Sequence, residues 1–162
     1  MEEQLLQVLK ENDADISGER KPVPDILSYE QAVRLVLDLS AQLSMLIRNK
    51  QAILSVNKTQ IEMIGDSNFI FKSIDLFRVS LKNQVLISKP FTYNKLMAPE
   101  LENLKVLPSR VNLNVGYYAI CKLAVSLLDI GNDITRLRPT KLFFLIDRMF
   151  KSNPEERRFI YI

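Results

Sequence analysis

Apolar residues at helical spacing predict one long helix near the start of the chain. From Ser28 to about Arg48 they recur every three or four positions and cover more than one side of the helix, so we expect it to be largely buried. Ser28, followed by Gln31 at the capping-box position, predicts where this helix begins. Leu27 and Ala32 predict a hydrophobic staple across the same boundary.

Three shorter segments have the same periodicity. Residues 114–129 place their apolar side chains on one helical face, and Gly131 stands where a C-cap glycine is expected. A short helix is predicted over residues 4–10 and a longer last helix over residues 140–151. The chain between the first two helices is polar and contains proline and glycine, so it is predicted to be a loop.

Short β-rich segments between the second and third helices predict two hairpins. Residues 60–64 and 68–72 flank Gly65-Asp66-Ser67, a sequence with turn chemistry. Residues 77–81 and 84–88 form a second pair that turns at Lys82-Asn83, and Pro90 ends it. A further β-rich segment precedes the first hairpin at residues 52–56.

The predicted fold class is therefore α+β, mainly helical with small β-hairpins. A chain of 162 residues, 47% of them hydrophobic, is long enough for one domain with a core of its own. We expect a single domain over residues 1–162, with an N-terminal helix and loop over residues 1–26 and the core over residues 27–162.

Charge and composition restrict the possible partners and compartments. The net charge of +3 comes from 22 basic and 19 acidic residues, which is too balanced to indicate nucleic acid as a partner. No apolar run is long enough for a membrane span, and the N-terminus has no secretory signal pattern. The single cysteine, Cys121, cannot form an intrachain disulfide, so we expect an intracellular, reducing location such as the cytoplasm.

The residue types required for common catalytic and metal sites are missing. The chain has no histidine, which removes the commonest general base and metal ligand. One cysteine without histidine argues against a zinc site, and a serine nucleophile has no histidine to activate it. We expect no metal and no cofactor.

Three segments in a fixed order carry a resemblance to a known family. They are Met97-Ala98-Pro99-Glu100, the apolar helix over residues 114–128, and Asn153-Pro154-Glu155-Glu156-Arg157. Together they resemble the lower half of the C-terminal lobe of a eukaryotic-type protein kinase. In that family the Ala-Pro-Glu glutamate pairs with a distant arginine, which implies a pair between Glu100 and Arg157. A partly buried carboxylate needs such a partner to offset its desolvation.

The resemblance extends over nearly the whole chain and implies that the catalytic residues are replaced. Ser55 falls at the position of the catalytic aspartate, and Gln60 at that of the metal-binding asparagine. Asp75 matches the metal-binding aspartate of the Asp-Phe-Gly motif, but Phe77 replaces its glycine. Serine cannot act as a carboxylate base near neutral pH, and Asp75 is also what a solvated loop would contain.

Further parts of a kinase have no counterpart in the sequence. Four glycines are too dispersed to form a Gly-rich phosphate loop. The sequence begins where a kinase hinge would end, so it offers neither an N-terminal lobe nor the ATP-binding lysine. The apolar segment Val79–Ile87 stands in place of a regulated activation segment. The resemblance therefore implies that the chain is not an enzyme and does not bind ATP.

The sequence favours an inactive, pseudokinase-like module that binds another protein or a second copy of itself, and neither nucleic acid nor a membrane. A structural or assembly component, for example of a virion, is an alternative, and half of a split kinase is another. Phe69, Phe71 and Leu76 lie in an apolar stretch that would sit beneath a kinase N-terminal lobe, so they are the candidate interface. Whether residues 79–87 cover that stretch is left open.

Overall fold

Four α-helices and two antiparallel sheets form the fold of residues 1–159, the part of the chain that the structure, a computed structural model, describes. The helices are α1 (Glu2–Glu11), α2 (Tyr29–Arg48), α3 (Val115–Leu127) and α4 (Lys141–Met149). The strands are β1 (Arg20–Lys21), β2 (Gln51–Ala52), β3 (Ile61–Ile64), β4 (Asn68–Phe71), β5 (Phe77–Val79), β6 (Gln84–Ile87) and β7 (Ser109–Asn112). The predicted α+β class is confirmed.

Helix α2 begins where the sequence predicts and contacts α1, α3 and β4. The Ser28 hydroxyl accepts from the Gln31 backbone N–H at 3.1 Å, and the Gln31 side chain accepts from the Ser28 N–H at 3.0 Å. At Gly116 the start of α3 comes close to α2. A Cβ there would lie 2.8 Å from Leu43 and 3.2 Å from the carbonyl oxygen of Ile53, so a larger residue would push the two elements apart.

The first sheet has the strand order β1-β3-β4. Strands β3 and β4 form the hairpin predicted around Gly65, which has the positive φ of 60° that glycine adopts most easily. Strand β1, only two residues long, pairs with β3 through Arg20 and Lys21 and was not predicted, because two polar residues carry no strand pattern.

The second sheet has the strand order β2-β5-β6-β7. Strands β5 and β6 form the second predicted hairpin, and β2 pairs with β5. Strand β7 pairs with β6 through Val111 and Val85. It was not predicted, because Val111 is the single apolar residue among its four.

The outer edge of β4 is covered by two side chains of α2. The Phe69 N–H donates to Asp38 at 3.0 Å and the Phe71 N–H donates to Gln42 at 3.0 Å. The Gln42 amide in turn donates to the Phe69 carbonyl at 2.9 Å. Asn68 also donates to the Asp38 carboxylate, at 3.1 Å. These side chains replace a neighbouring strand, so the edge of β4 is not open to another chain. We call Asp38, Gln42 and their partners on β4 the edge clip.

The predicted interface is therefore wrong at Phe69 and Phe71, whereas Leu76 remains partly exposed. Phe69 is 0% exposed, Phe71 is also buried, and Leu76 is half-buried against the same core. All four residues of β4 are buried, because the strand lies against α1 and α2. Helices α1 and α2 contact β4, whereas residues 79–87 belong to the second sheet.

Two groups of buried side chains form the interior. The larger lies among the helices and the β3–β4 hairpin, and it includes Leu5 and Leu9 of α1. The N-terminal helix thus shares the main core. The smaller group lies under the second sheet and includes Leu54, Met97 and Leu101. No helix within residues 1–159 is both long and apolar enough to pass through a membrane.

Candidate functional site

Two short 3₁₀ turns present the predicted ion pair. The first turn, Pro99–Leu101, carries Glu100, and proline suits its first position because no backbone N–H is needed there. The second turn, Pro154–Glu156, ends just before Arg157. The Asn153 side chain caps this second turn by accepting from the Glu155 N–H at 3.0 Å. Local capping therefore fixes the segment that precedes Arg157, whereas the turn that carries Glu100 has no side-chain cap.

Arg157 and Glu100 form a bidentate ion pair. Nη1 of Arg157 lies 2.7 Å from Oε2 of Glu100, and Nη2 lies 2.8 Å from Oε1. Nε of Arg157 donates to the Lys151 carbonyl at 2.8 Å, and Nη2 also donates to the Ser152 carbonyl at 3.3 Å. The Arg157 side chain has no exposed surface. The parallel geometry and the satisfied donors are what a buried guanidinium requires.

Two side chains at the start of α3 contact this ion pair. Asn114, at the start of α3, approaches Nη1 of Arg157 through its Oδ1 at 3.5 Å, and its amide donates to the Pro154 carbonyl. The Arg157 guanidinium lies 4.8 Å from the centre of the Tyr118 ring, within cation–π distance. Burial raises the pKa of the Tyr118 phenol although Arg157 opposes the shift. We call Glu100, Arg157, Asn114 and Tyr118 the anchor.

The four sequence-predicted catalytic positions come together elsewhere, in one open cleft of about 240 Å³. Ser55 and Gln60 line it from the segment between β2 and β3, and Asp75 and Phe77 from the start of β5. We call this site the cleft. Its other lining residues are Leu54, Asn57, Lys89, Pro90, Phe91, Thr92, Asn94 and Met97.

The polar side chain of Gln60 is used within its own turn. Its Oε1 accepts from the Asn57 N–H at 3.0 Å, and the Asn57 side chain accepts from the Thr59 N–H at 3.0 Å. The turn Lys58–Gln60 is thereby closed by a capping box. The oxygen that would ligate a metal in the resemblance is thus already bonded to the backbone.

Among the described lining residues of the cleft, no nucleophile is hydrogen-bonded to a base. The Ser55 hydroxyl accepts from the Asn94 amide at 3.4 Å, and neither partner is a base. Asp75 is exposed and is the one carboxylate among the residues that line the cleft. The Lys89 ammonium lies 4.7 Å from the centre of the Phe77 ring. Within residues 1–159 no group of three or more His, Cys, Asp or Glu side chains could hold a metal ion.

Sequence reasoning missed several residues that shape these sites. Asn94, Lys89 and Phe91 come to the cleft from the loop after β6, which has no periodic pattern. Asp38 and Gln42 had a usable signal, because they stand four residues apart among the apolar positions of α2. Polar residues at that spacing share a helical face.

No protein-family model and no curated protein matches this chain. The chemistry available therefore follows from its own residues. The anchor joins chain segments that lie 57 residues apart, and the Arg157 side chain has no exposed surface left for a ligand. The cleft is open and offers one carboxylate at Asp75, one ammonium group at Lys89 and two hydroxyls at Ser55 and Thr92. This set can hydrogen-bond a ligand, but it contains no base paired with a nucleophile.

Proposed function

We propose that the chain is a catalytically inactive, kinase-like C-terminal lobe that works by binding another protein. The bidentate pair of Glu100 with Arg157 is the observation that carries this proposal. It joins the Ala-Pro-Glu segment to the Pro-x-x-Arg segment and rests on Asn114 of α3. These are the three segments of the resemblance, and the pair links them as the kinase family's pair would.

The position of the cleft supports the same proposal. Ser55, Gln60 and Asp75 stand at positions that the resemblance assigns to kinase catalytic residues, and all three line one cleft. The pairing of β2 with β5 places the two segments that carry these residues side by side. The topology supports a kinase-like arrangement, while the residue identities oppose kinase chemistry.

Inactivity follows from what each position now contains. A hydroxyl at Ser55 cannot take the proton of a substrate hydroxyl as a carboxylate does. The Gln60 amide is engaged with Asn57, so Asp75 is left as a single carboxylate for a magnesium ion that kinases hold with two protein ligands. Protein binding is the use that remains for such a scaffold, and large apolar side chains stay exposed at Leu81 and Val106.

Phosphoryl transfer by the purified chain tests the proposal. The chain is incubated with Mg-ATP labelled on the γ-phosphate and with a general acceptor protein, beside the Asp75→Ala variant as the matched control. We expect the same background signal from both. In parallel, cross-linking in the source cell followed by mass spectrometry is expected to recover a protein at fixed stoichiometry. Transfer that Asp75→Ala abolishes would refute inactivity and favour a split kinase.

A further inference from the structure

A basic groove lies on the outer face of the second sheet, away from the anchor and the cleft. Its volume is about 420 Å³. We call this site the basic groove. It is lined by Lys50, Arg78, Val79, Ser80, Leu81, Lys82, Leu86 and Arg110.

Strand register places the basic side chains of this groove on one face. Arg78 of β5 is opposite Leu86 of β6, and Leu86 is opposite Arg110 of β7. The alternate residues Val85 and Val111 point into the smaller core, so the row Arg78-Leu86-Arg110 faces outward. The sheet therefore holds one guanidinium group on each side of the Leu86 side chain.

The positive charge of the groove is not balanced by its surroundings. Of the described residues that line it, none is acidic. Within residues 1–159, none of its four basic side chains forms an ion pair. The whole chain has a net charge of only +3, so without these four residues the molecule would be slightly acidic. Such concentrated charge attracts an acidic partner and orients it.

An apolar side chain stands at the rim of the groove. Leu81, in the turn between β5 and β6, is 99% exposed, the highest value among the exposed large hydrophobic residues of the described chain. Lys82 follows it directly, and Asn83 has the positive φ of 57° that tightens this turn. Leu86 is half-buried in the floor of the groove. The groove thus combines positive charge with two apolar contact points.

We propose that the basic groove binds an acidic segment of a partner protein, with an apolar side chain of that segment packed between Leu81 and Leu86. This inference rests on the proposed function in one respect, namely that the chain works by binding a protein. A concave site accommodates an extended chain segment better than it accommodates a flat lipid surface. Nucleic acid is disfavoured because no aromatic residue among the described lining residues offers a stacking surface.

The test uses the full chain and a fluorescein-labelled synthetic peptide of alternating glutamate and leucine, with glutamine replacing glutamate in the control peptide. Fluorescence anisotropy should detect binding of the acidic peptide but not of the glutamine control peptide. Binding of the acidic peptide should weaken as ionic strength rises from about 0.05 M to about 0.5 M. The double variant Arg78→Glu/Arg110→Glu should lose about tenfold in affinity. Arg136→Glu/Lys141→Glu changes the net charge equally at exposed positions outside the groove and should bind as the unmodified chain does.

The Leu81→Ser variant tests the apolar contact without changing the charge of the basic groove. Its side chain is exposed, so the fold should remain unchanged by circular dichroism while affinity falls about fivefold. Equal losses in the groove variant and in its charge-matched control would overturn the proposal. Binding to phosphatidylserine vesicles or to a single-stranded oligonucleotide, without binding to the acidic peptide, would overturn it as well. If Arg78→Glu/Arg110→Glu still cross-links to the same cellular partner, the groove is wrong while the proposed function stands; phosphoryl transfer by the chain would refute the function instead.

Discussion

The anchor and the cleft each include a 3₁₀ turn that is capped by an asparagine side chain, but their polar side chains have opposite uses. In the anchor, Glu100 and Arg157 satisfy each other across 57 residues of sequence, and the Arg157 side chain is fully buried. In the cleft, Gln60 bonds within its own turn and Asp75 faces solvent. The ion pair of the anchor stabilises the tertiary structure, whereas the cleft has few charged groups that could contact a ligand.

The two sites should therefore differ in how well they tolerate substitution of their residues. A buried charge pair must be complete, because loss of one partner leaves the other without solvation. An open cleft with locally satisfied polar groups tolerates replacement of its residues, because water can take their place. A kinase-like chain that no longer transfers phosphate would keep the first kind of site and change the second, which is the pattern that we propose here.

Removal of Glu100 should have the largest effect on stability. Glu100→Ala leaves the Arg157 guanidinium buried beside two carbonyls and Asn114 without its counter-charge. We expect the free energy of unfolding to fall by about 3–5 kcal/mol, measured by urea denaturation. Glu156→Ala, which removes an exposed carboxylate beside Arg157, is the control and should change it by less than about 0.5 kcal/mol. Similar small losses in both variants would remove the distinction between anchor and cleft.

The edge clip should behave like the anchor, at a smaller magnitude. Asp38→Ala leaves the Phe69 N–H and the Asn68 amide without their acceptor inside the protein. The expected loss is about 2–3 kcal/mol in the same measurement. Asp147→Ala removes an exposed helical carboxylate and should be nearly neutral. A neutral Asp38→Ala would mean that the edge of β4 does not need the side chains of α2.

The pH dependence of stability also tests the edge clip. Burial raises the pKa of the Asp38 carboxyl above 3.8, although Arg34, Asn68 and Phe69 each lower it. The folded chain then holds this proton more tightly than the unfolded chain does. The resulting stabilisation is present below pH 3.8 and is lost as pH rises through the folded pKa. Asp38→Asn should remove this fall from the stability profile, and an unchanged profile would contradict the shift.

The cleft should show the smallest effects. Gln60→Ala opens the capping box with Asn57 and should cost about 0.5–1 kcal/mol of unfolding free energy. Ser55→Ala, which loses one long hydrogen bond, should be neutral within about 0.5 kcal/mol. A cost at Ser55 as large as that at Glu100 would indicate that the cleft is also a tertiary support.

The regular elements with strong local signals could be predicted from the sequence. Helix α2 was predicted because Ser28 and Gln31 form a capping box before a long apolar periodicity, and that box is present. The two hairpins were predicted because Gly65 and Asn83 stand at their turns. The pairing of Glu100 with Arg157 came from the motif that the two segments resemble, since no local periodicity relates residues so far apart.

The burial of β4 could not be predicted from its own pattern. In a strand with one face on the core, alternation leaves about half of the apolar residues facing outward, so an apolar stretch around Phe69 and Phe71 predicts an interface. Contacts with α1 and α2 bury all four residues of the strand. The edge clip covers its free edge. These are tertiary contacts between segments that are distant in sequence; Asp38 and Phe69, for example, lie 31 residues apart. Strand β7 was missed for a related reason, because its pairing with β6 compensates for a weak strand sequence.

Nucleotide binding tests the central claim most directly. With Asp75 as the one carboxylate among the residues lining the cleft, and with Gln60 engaged in its turn, millimolar Mg-ATP should not raise the midpoint of thermal unfolding. The measurement is differential scanning fluorimetry of the unmodified chain and of Asp75→Ala, each with and without Mg-ATP. We predict four identical midpoints within error. A clear upward shift in the unmodified chain that Asp75→Ala abolishes would contradict the account, because it would mean that the cleft still binds the kinase substrate.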